Sequence, residues 1–304
     1  MFKIPILFLA FNRPDVTALA FAEIKRQKPK YLYFAADGPR SDKEGEKERC
    51  ELCRKIVLDN IDWDCEVKTR LQEVNLGCGK AVSSAITWFF DHVEEGIILE
   101  DDVLPANSFF SFCEEMLLKY RSDAQVMSIS GVNFLSNTFK AEHSYVFSKY
   151  GGIWGWASWR RAWKGYDYSI ASWGSEVGKN AIKKNLSDNA YAFFEDIFNR
   201  SHQVDTWDYQ WWFHKLSNNG LDIIPSVNLA RNLGFDDNAT HTRTAREEIM
   251  NMQTGEISFP LQHPSKVGQN KKYDSLLSAK YYSKADYTSP NLFRRILRKL
   301  NFAN

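Results

Sequence analysis

The chain has 304 residues, and 39 lysines and arginines face 38 aspartates and glutamates, so its formal net charge is +1. That balance excludes a nucleic-acid binder relying on a global positive field. A hydrophobic share of 44%, with 21 Phe, 13 Tyr and 10 Trp, excludes wholesale disorder and can fill one large domain or two fused ones.

The first half alternates strand and helix patterns. Residues 4–11 read as a buried strand, followed by a turn at Asn12, Arg13 and Pro14 and a helix to about Arg26. Residues 31–36 form the next strand, closed by Asp37, Gly38 and Pro39. A charged, exposed helix over 43–58 and a strand over 65–71 follow. A turn at 75–79 opens a helix from Lys80 to about Val93, and a short buried strand over 96–99 ends in Glu100, Asp101 and Asp102. Phe109, Cys113, Met116, Leu117 and Tyr120 mark one face of a helix, and 126–130 read as another strand. Beyond Tyr150 the pattern loosens into glycine- and tryptophan-rich sequence, with helical stretches around 189–200 and 209–216. This alternation implies an α/β fold, a mostly parallel sheet flanked by helices.

Five cysteines are an odd number and no disulfide framework. Cys50 and Cys53 form a CxxC inside a charged run, with no second pair at zinc spacing, and read as incidental thiols in a reducing cytosol. The longest N-terminal apolar run, 4–11, contains Pro5 and is far shorter than the roughly 20 residues of a membrane span. A cytoplasmic location is expected. Near the C-terminus, Leu292, Phe293, Ile296, Leu297 and Leu300 fall at helical spacing among Arg294, Arg295, Arg298 and Lys299. Such a basic amphipathic helix suits either peripheral contact with the inner face of an anionic membrane or packing on its own domain.

In parallel sheets the ligand crevice lies beyond the carboxyl ends of the strands. Glu100, Asp101 and Asp102 stand at such an end, where carboxylates suit a divalent cation, Mn²⁺ or Mg²⁺, bridging a diphosphate. The other acidic pair, Asp62 and Asp64, precedes a strand and belongs at the opposite edge. Asn12 with Arg13, and Asp37 with Gly38, close strands where they could bond a base and ribose. Asn75 and Lys80 flank a helix start, whose N–H groups and a cation suit phosphate. Each has a plain alternative as an ordinary turn or surface charge.

Together these residues resemble a known family. The run 97–103 (Ile-Ile-Leu-Glu-Asp-Asp-Val), then Phe109-Phe110, then 126–133 (Val-Met-Ser-Ile-Ser-Gly-Val-Asn) resembles the core of nucleotide-sugar glycosyltransferases of the GT-A (Rossmann-like) fold. The similarity is greatest to the N-acetylglucosaminyltransferase I type, in which a Glu-Asp-Asp triplet plays the DxD role. The segment 152–156 resembles that family's glycine-tryptophan segment. Trp207-Asp208, Ile223-Ile224-Pro225 and 232–235 resemble its later succession, and 157–163 resembles bacterial relatives of surface-glycan synthesis.

The resemblance covers about residues 4–242. It implies a single large domain, with a nucleotide-sugar-binding half over 1–150, a donor-sugar and acceptor half over 151–245, and a C-terminal tail over 246–304. It also implies that Asp102 ligates Mn²⁺, Asp101 sits near ribose or metal, Glu100 contacts the donor sugar, and Asn12 and Asp37 bind uridine. Asp208 would then be the base of an inverting transfer from a UDP-sugar to a carbohydrate-containing acceptor. The chain departs from the animal enzyme in lacking an N-terminal anchor and in carrying Tyr209 where a second acid would stand.

Three further readings come from the residues. His241 is a candidate second metal ligand. Eight of the ten tryptophans lie between Trp154 and Trp212. Trp159 and Trp163, four apart, fit one helix face, whereas Trp154 and Trp156, held among glycines that include Gly155, suit stacking on a sugar ring. Two other functions compete. A sugar-phosphate nucleotidyltransferase needs a glycine-rich loop after the first strand, and a non-catalytic carbohydrate-binding protein needs neither Asp102 nor Asp208.

Overall fold

The computed structural model describes residues 2–234 and 247–282. Alternation begins with β1 (Ile6–Ala10), α1 (Pro14–Gln27), β2 (Tyr31–Ala36), α2 (Glu46–Leu58), β3 (Glu66–Leu71), α3 (Cys78–His92) and β4 (Glu95–Glu100). It continues with β5 (Val103–Pro105), α4 (Asn107–Tyr120), β6 (Val126–Ser130), β7 (Tyr145–Ser148), β8 (Trp156–Trp159) and the short α5 (Arg160–Trp163). The remaining elements are α6 (Glu176–Lys183), α7 (Asp188–Arg200), α8 (Asp208–Ser217), β9 (Leu221–Pro225), β10 (Ala230–Asn232), α9 (Glu247–Met250) and α10 (Lys271–Tyr281).

Eight strands form one sheet in the order β3-β2-β1-β4-β8-β6-β9-β7. β1 to β4 are mutually parallel, β6 and β9 share their direction, and β8 and β7 run opposite. The sheet is therefore mostly parallel, as the alternating pattern implies. Strand β1 is apolar and buried throughout, which suits a strand covered on both faces. Pro14 sits at the start of α1, where its missing N–H costs nothing. A two-stranded ribbon pairs β5 with β10, so the chain returns late to the segment just after the acidic strand end.

Three strands of the eight-stranded sheet escape the sequence pattern, as do β5 and β10 of the ribbon. β7, β8 and β9 are buried on both faces and show no alternation. Trp159 and Trp163 are not one helix face: Trp159 ends β8 and Trp163 closes α5. Nor is α2 simply exposed, because Glu46, Cys50, Cys53 and Val57 turn inward. Burial pushes the thiol of Cys50 up to about 12 and that of Cys53 up to about 11, which leaves both protonated and unreactive near neutrality. No helix among the described residues is long and apolar enough to cross a membrane, and the basic segment 291–302 lies outside them.

Most of the tryptophan stretch is core. Trp156 is fully buried, stacks on Trp207 at 5.6 Å and packs against Trp163 and Trp211. Beside this cluster a buried ion pair joins α8 to β9, with Lys215 Nζ 2.5 Å from Asp222. The same carboxylate accepts the Gly151 N–H at 2.9 Å and so anchors the glycine-tryptophan segment. Replacing Lys215 by Met would leave Asp222 charged, buried and without its ammonium partner. We expect a loss of about 3–5 kcal/mol of stability, measured as the shift in urea midpoint.

Candidate active site

Sheet order reverses at β1, which has β2 on one side and β4 on the other. Crevices form at such a reversal, beyond the carboxyl strand ends. A cavity of about 310 Å³ opens there, lined beyond β1 by Phe11 and Arg13, beyond β2 by Asp37, at the end of β3 by Arg70 and Gln72, and at the end of β4 by Glu100.

The acid turn forms its floor. Arg13 places Nη2 2.5 Å from Asp101 and 3.0 Å from Asp102. Burial works against the Arg13 charge, but the two carboxylates outweigh it and raise its pKa. Asp101 is nearly inaccessible, and both its oxygens are engaged within the protein: one by Arg13, the other by the Phe11 N–H at 3.1 Å and the Thr17 hydroxyl at 3.4 Å. It anchors the β1–α1 turn. Burial, then the charges of Asp102, Asp101 and Asp208, push the Glu100 pKa well above its ordinary value. Asp102 is also raised, chiefly by burial and against the pull of Arg13. Its carbonyl accepts the Leu233 N–H at 2.6 Å, and a β-carbon at Gly234 would lie 2.3 Å from its carboxylate, so the chain after β10 passes directly over it.

Strand ends β1 and β2 are organised by a residue that the sequence pattern hides in a charged run. Glu46 is fully buried and accepts from Asn12 Nδ2 at 2.7 Å and from the Arg40 backbone N–H at 2.7 Å and Nη2 at 2.5 Å. Burial alone would raise its pKa, yet Arg40 and Asn12 pull it down to about 2. Arg40 lies over the Phe11 ring at 5.6 Å, giving the cavity a cationic-aromatic wall. Asn12, expected at uridine, instead holds Glu46 and is not among the lining residues.

Asp37 does line the cavity, but its carboxylate also accepts from the N–H groups of Gly38, Leu76 and Gly77 and from Asn75 Nδ2. Burial raises its pKa and those N–H groups oppose the rise. Gly38 serves packing, because a β-carbon there would lie 2.5 Å from the Val74 backbone. Arg70 is the cleft arginine without a carboxylate partner: its Nε is buried and unbonded among the described residues.

The side facing the acid turn comes from the segment leading into α8. Asp208 begins that helix, and its Oδ1 accepts from the Thr206 hydroxyl and the Tyr209 N–H. Trp154, Thr206 and Trp207 line the same cavity. Trp154 is half-buried and meets Phe134 edge-on, whereas Trp156 and Gly155 are buried outside the cavity lining. The expected sugar wall is thus reduced to Trp154, because β8 carries Trp156 into the core.

The start of α3, expected to hold phosphate, is filled from within. Asp205 accepts from the Cys78 and Gly79 N–H groups at 2.8 Å each. Lys80 points to solvent and does not line the cavity. His241 lies outside the described residues. No spacing rule could have found Arg40, Arg70 or Asp205 at the cleft, or Glu46 buried behind it, since folding rather than a local motif brings them there.

Charge states what the cleft can hold. Six carboxylates line it (Asp37, Glu100, Asp101, Asp102, Asp205 and Asp208) against Arg13, Arg40 and Arg70. An anionic ligand entering such a cleft needs additional positive charge. Among the described residues no three His, Cys, Asp or Glu side chains converge to hold a metal alone. Oxygen donors of Asp102 and Glu100 do fit the pattern of a hard cation that takes one or two carboxylates and completes its shell with water and phosphate oxygens.

No family model matches the chain, and neither does any curated protein. Among solved structures, mouse xyloside xylosyltransferase 1 in its apo form is similar at 11% identity over 70% of this chain and 81% of that one, with a TM-score of 0.36. The inositol-1-phosphate CTP transferase from T. maritima is similar at 9% identity over 74% and 85%, also with a TM-score of 0.36.

The Glu46 network has a pH signature. A folded pKa of about 2 below the ordinary 4.5 means its stabilisation is complete above pH 4.5 and is lost as pH falls toward 2. We therefore expect unfolding free energy between pH 4.5 and 3 to fall more steeply for the wild type than for Glu46→Gln, read from urea titrations at each pH.

Proposed function

We propose that the protein is a metal-dependent, inverting glycosyltransferase of the GT-A kind. It would move a sugar from a nucleotide-sugar, a UDP-sugar first among them, to a hydroxyl of a glycan, glycolipid or glycoprotein. One observation carries the reading: an acid turn at the end of β4 and a carboxylate at the start of α8 face the same cavity at the sheet's switch point. A non-catalytic carbohydrate-binding protein requires neither. A nucleotidyltransferase needs a glycine-rich loop after β1, whereas here that turn is Phe11-Asn12-Arg13, with Arg13 held by Asp101 and Asp102.

The chemistry follows from charge. A Mn²⁺ or Mg²⁺ ion at Asp102, with Glu100 beside it, would stabilise the negative charge gathering on the leaving diphosphate. Arg13 keeps Asp101 and Asp102 close together in an acidic turn. Asp208 takes the proton of the acceptor hydroxyl as its oxygen attacks the anomeric carbon. The bond to the diphosphate breaks on the opposite face, and the configuration inverts. A positioned base of this kind contributes roughly 10²–10⁴-fold in rate. The Thr206 hydroxyl and the Tyr209 N–H orient the Asp208 carboxylate. Trp154 offers an aromatic face for a sugar ring, and Arg40 on Phe11 a wall for the base.

A thermal-shift panel of UDP-, GDP-, dTDP- and CMP-sugars, with and without Mn²⁺, tests the reading. We expect stabilisation by one nucleotide class only when Mn²⁺ is present, and its loss in Asp102→Ala. No shift with any donor would remove the basis of the reading. Asp208→Asn is expected to retain metal-dependent donor binding while slowing donor hydrolysis, followed as nucleotide release, by at least about 100-fold. Full activity in that variant would exclude Asp208 as the base.

A further inference from the structure

The contact between Asp205 and α3 has a role that helix capping alone does not explain. The first residue before α3, Gly77, has no side chain to cap the helix, and the cap comes instead from Asp205, which lies on the segment entering α8. Both oxygens of that carboxylate are bonded, to the Cys78 and Gly79 N–H groups. The neighbouring glycines are shaped around it: a β-carbon at Gly77 would fall 2.4 Å from Asp205, and one at Gly79 would meet the Tyr168 hydroxyl, the Thr206 carbonyl and Asp205 within 3 Å. The site is therefore built to receive this carboxylate from a residue more than a hundred positions away.

Two residues separate this anchor from Asp208, and each is tied down. Thr206 donates its hydroxyl to Asp208, and the Trp207 carbonyl accepts from the Tyr166 hydroxyl at 2.9 Å. Trp207 also stacks on buried Trp156. The anchor thus joins the α3 side of the cleft to the segment that presents the carboxylate at the start of α8.

We propose that Asp205 is a positioning residue: by gripping the start of α3 it fixes the 205–208 segment and, through Thr206, sets the Asp208 carboxylate toward the reacting hydroxyl. This rests on the transferase reading given above. It also assigns the N–H groups of α3 to an internal carboxylate rather than to the donor diphosphate. Both Asp205 oxygens are taken up by the start of α3, so in this role its removal should impair turnover and leave donor binding nearly intact.

Two measurements separate the failure of this inference from the failure of the reading it rests on. Hydrogen–deuterium exchange needs no substrate. In Asp205→Ala, peptides covering 77–80 and 204–209 should exchange at least about tenfold faster, while the strands β1, β2 and β4 keep their protection. Unchanged exchange in both peptides would overturn the anchor outright. The second measurement uses UDP-sugar hydrolysis with Mn²⁺, together with calorimetric binding of UDP. Asp205→Ala should lower turnover at least tenfold with the UDP dissociation constant within threefold of the wild type, and Asp205→Asn should fall between them.

Thr206→Val should lower turnover similarly, and the double variant should be no worse than the more damaging single change, because both act on one carboxylate. Unchanged turnover in Asp205→Ala, or fully multiplicative effects of the two changes, would overturn the positioning role. Tighter UDP binding in Asp205→Ala would also overturn it, since the carboxylate would then only block a phosphate site. If the wild type neither binds nor hydrolyses any nucleotide-sugar, the transferase reading falls and takes the positioning role with it, while the exchange result still decides the anchor.

Discussion

The pairing of Arg13 with Asp101 and Asp102 is the constraint on which the cleft depends. Three consecutive acids at a strand end repel one another, and two of them are largely removed from water. Without a nearby cation their repulsion would drive the turn outward. Arg13 comes from the β1–α1 turn, so the compensation also ties β1 to β4 at the point where the sheet order reverses. That tie places the acidic strand end in the same cavity as Phe11 and Arg40. It also leaves Glu100 without an ion-pair partner among the described residues, held against three other carboxylates.

Much of the first half was legible because its physics is local. Strand, turn and helix alternate through residue 130, and the polar turns after β1, β2 and β4 lie at one edge, as a parallel sheet requires. The element bounds differ from the pattern by only a few residues. The second half was not legible in the same way. β7, β8 and β9 are buried on both faces, so neither alternation nor helical spacing marks them, and the Trp159–Trp163 spacing points to the wrong element. For the site, Arg13, Asp37, Asn75, Glu100, Asp101, Asp102, Trp154 and Asp208 meet at the cleft. Asn12, Gly38, Lys80, Gly155 and Trp156 do not line it. Their causes differ: Glu46 draws Asn12 away, Lys80 points to solvent, β8 carries Trp156 into the core, and Gly38 and Gly155 allow close packing, none of which a local pattern shows.

The cleft is assembled through carboxylates that bond donors of the protein itself. Glu46 gathers Asn12 and Arg40, Asp37 gathers the loop at 75–77, and Asp205 gathers the start of α3. Each satisfies backbone or side-chain donors from elements distant in sequence. Acid residues therefore serve as joints here as well as prospective ligands. This explains how a nearly neutral chain holds such an acidic crevice: part of the negative charge is absorbed by N–H groups and guanidiniums of its own walls.

Strand β8 has a consequence in time. It is inserted between β4 and β6, pairing Glu95 with Trp159 and Ser128 with Ser158, although both neighbours precede it in the chain. A newly made chain can complete β1 to β4, with Arg13 already neutralising the acid turn, long before residues 156–159 exist. Closing the sheet then waits for contacts of high sequence separation, which are the slow ones in folding. Asp205 and Asp208 come later still. The crevice is thus expected to mature in order, first the half with the acid turn and last the carboxylate that faces it, so an incompletely folded molecule would hold the acid turn without the carboxylate proposed as the base.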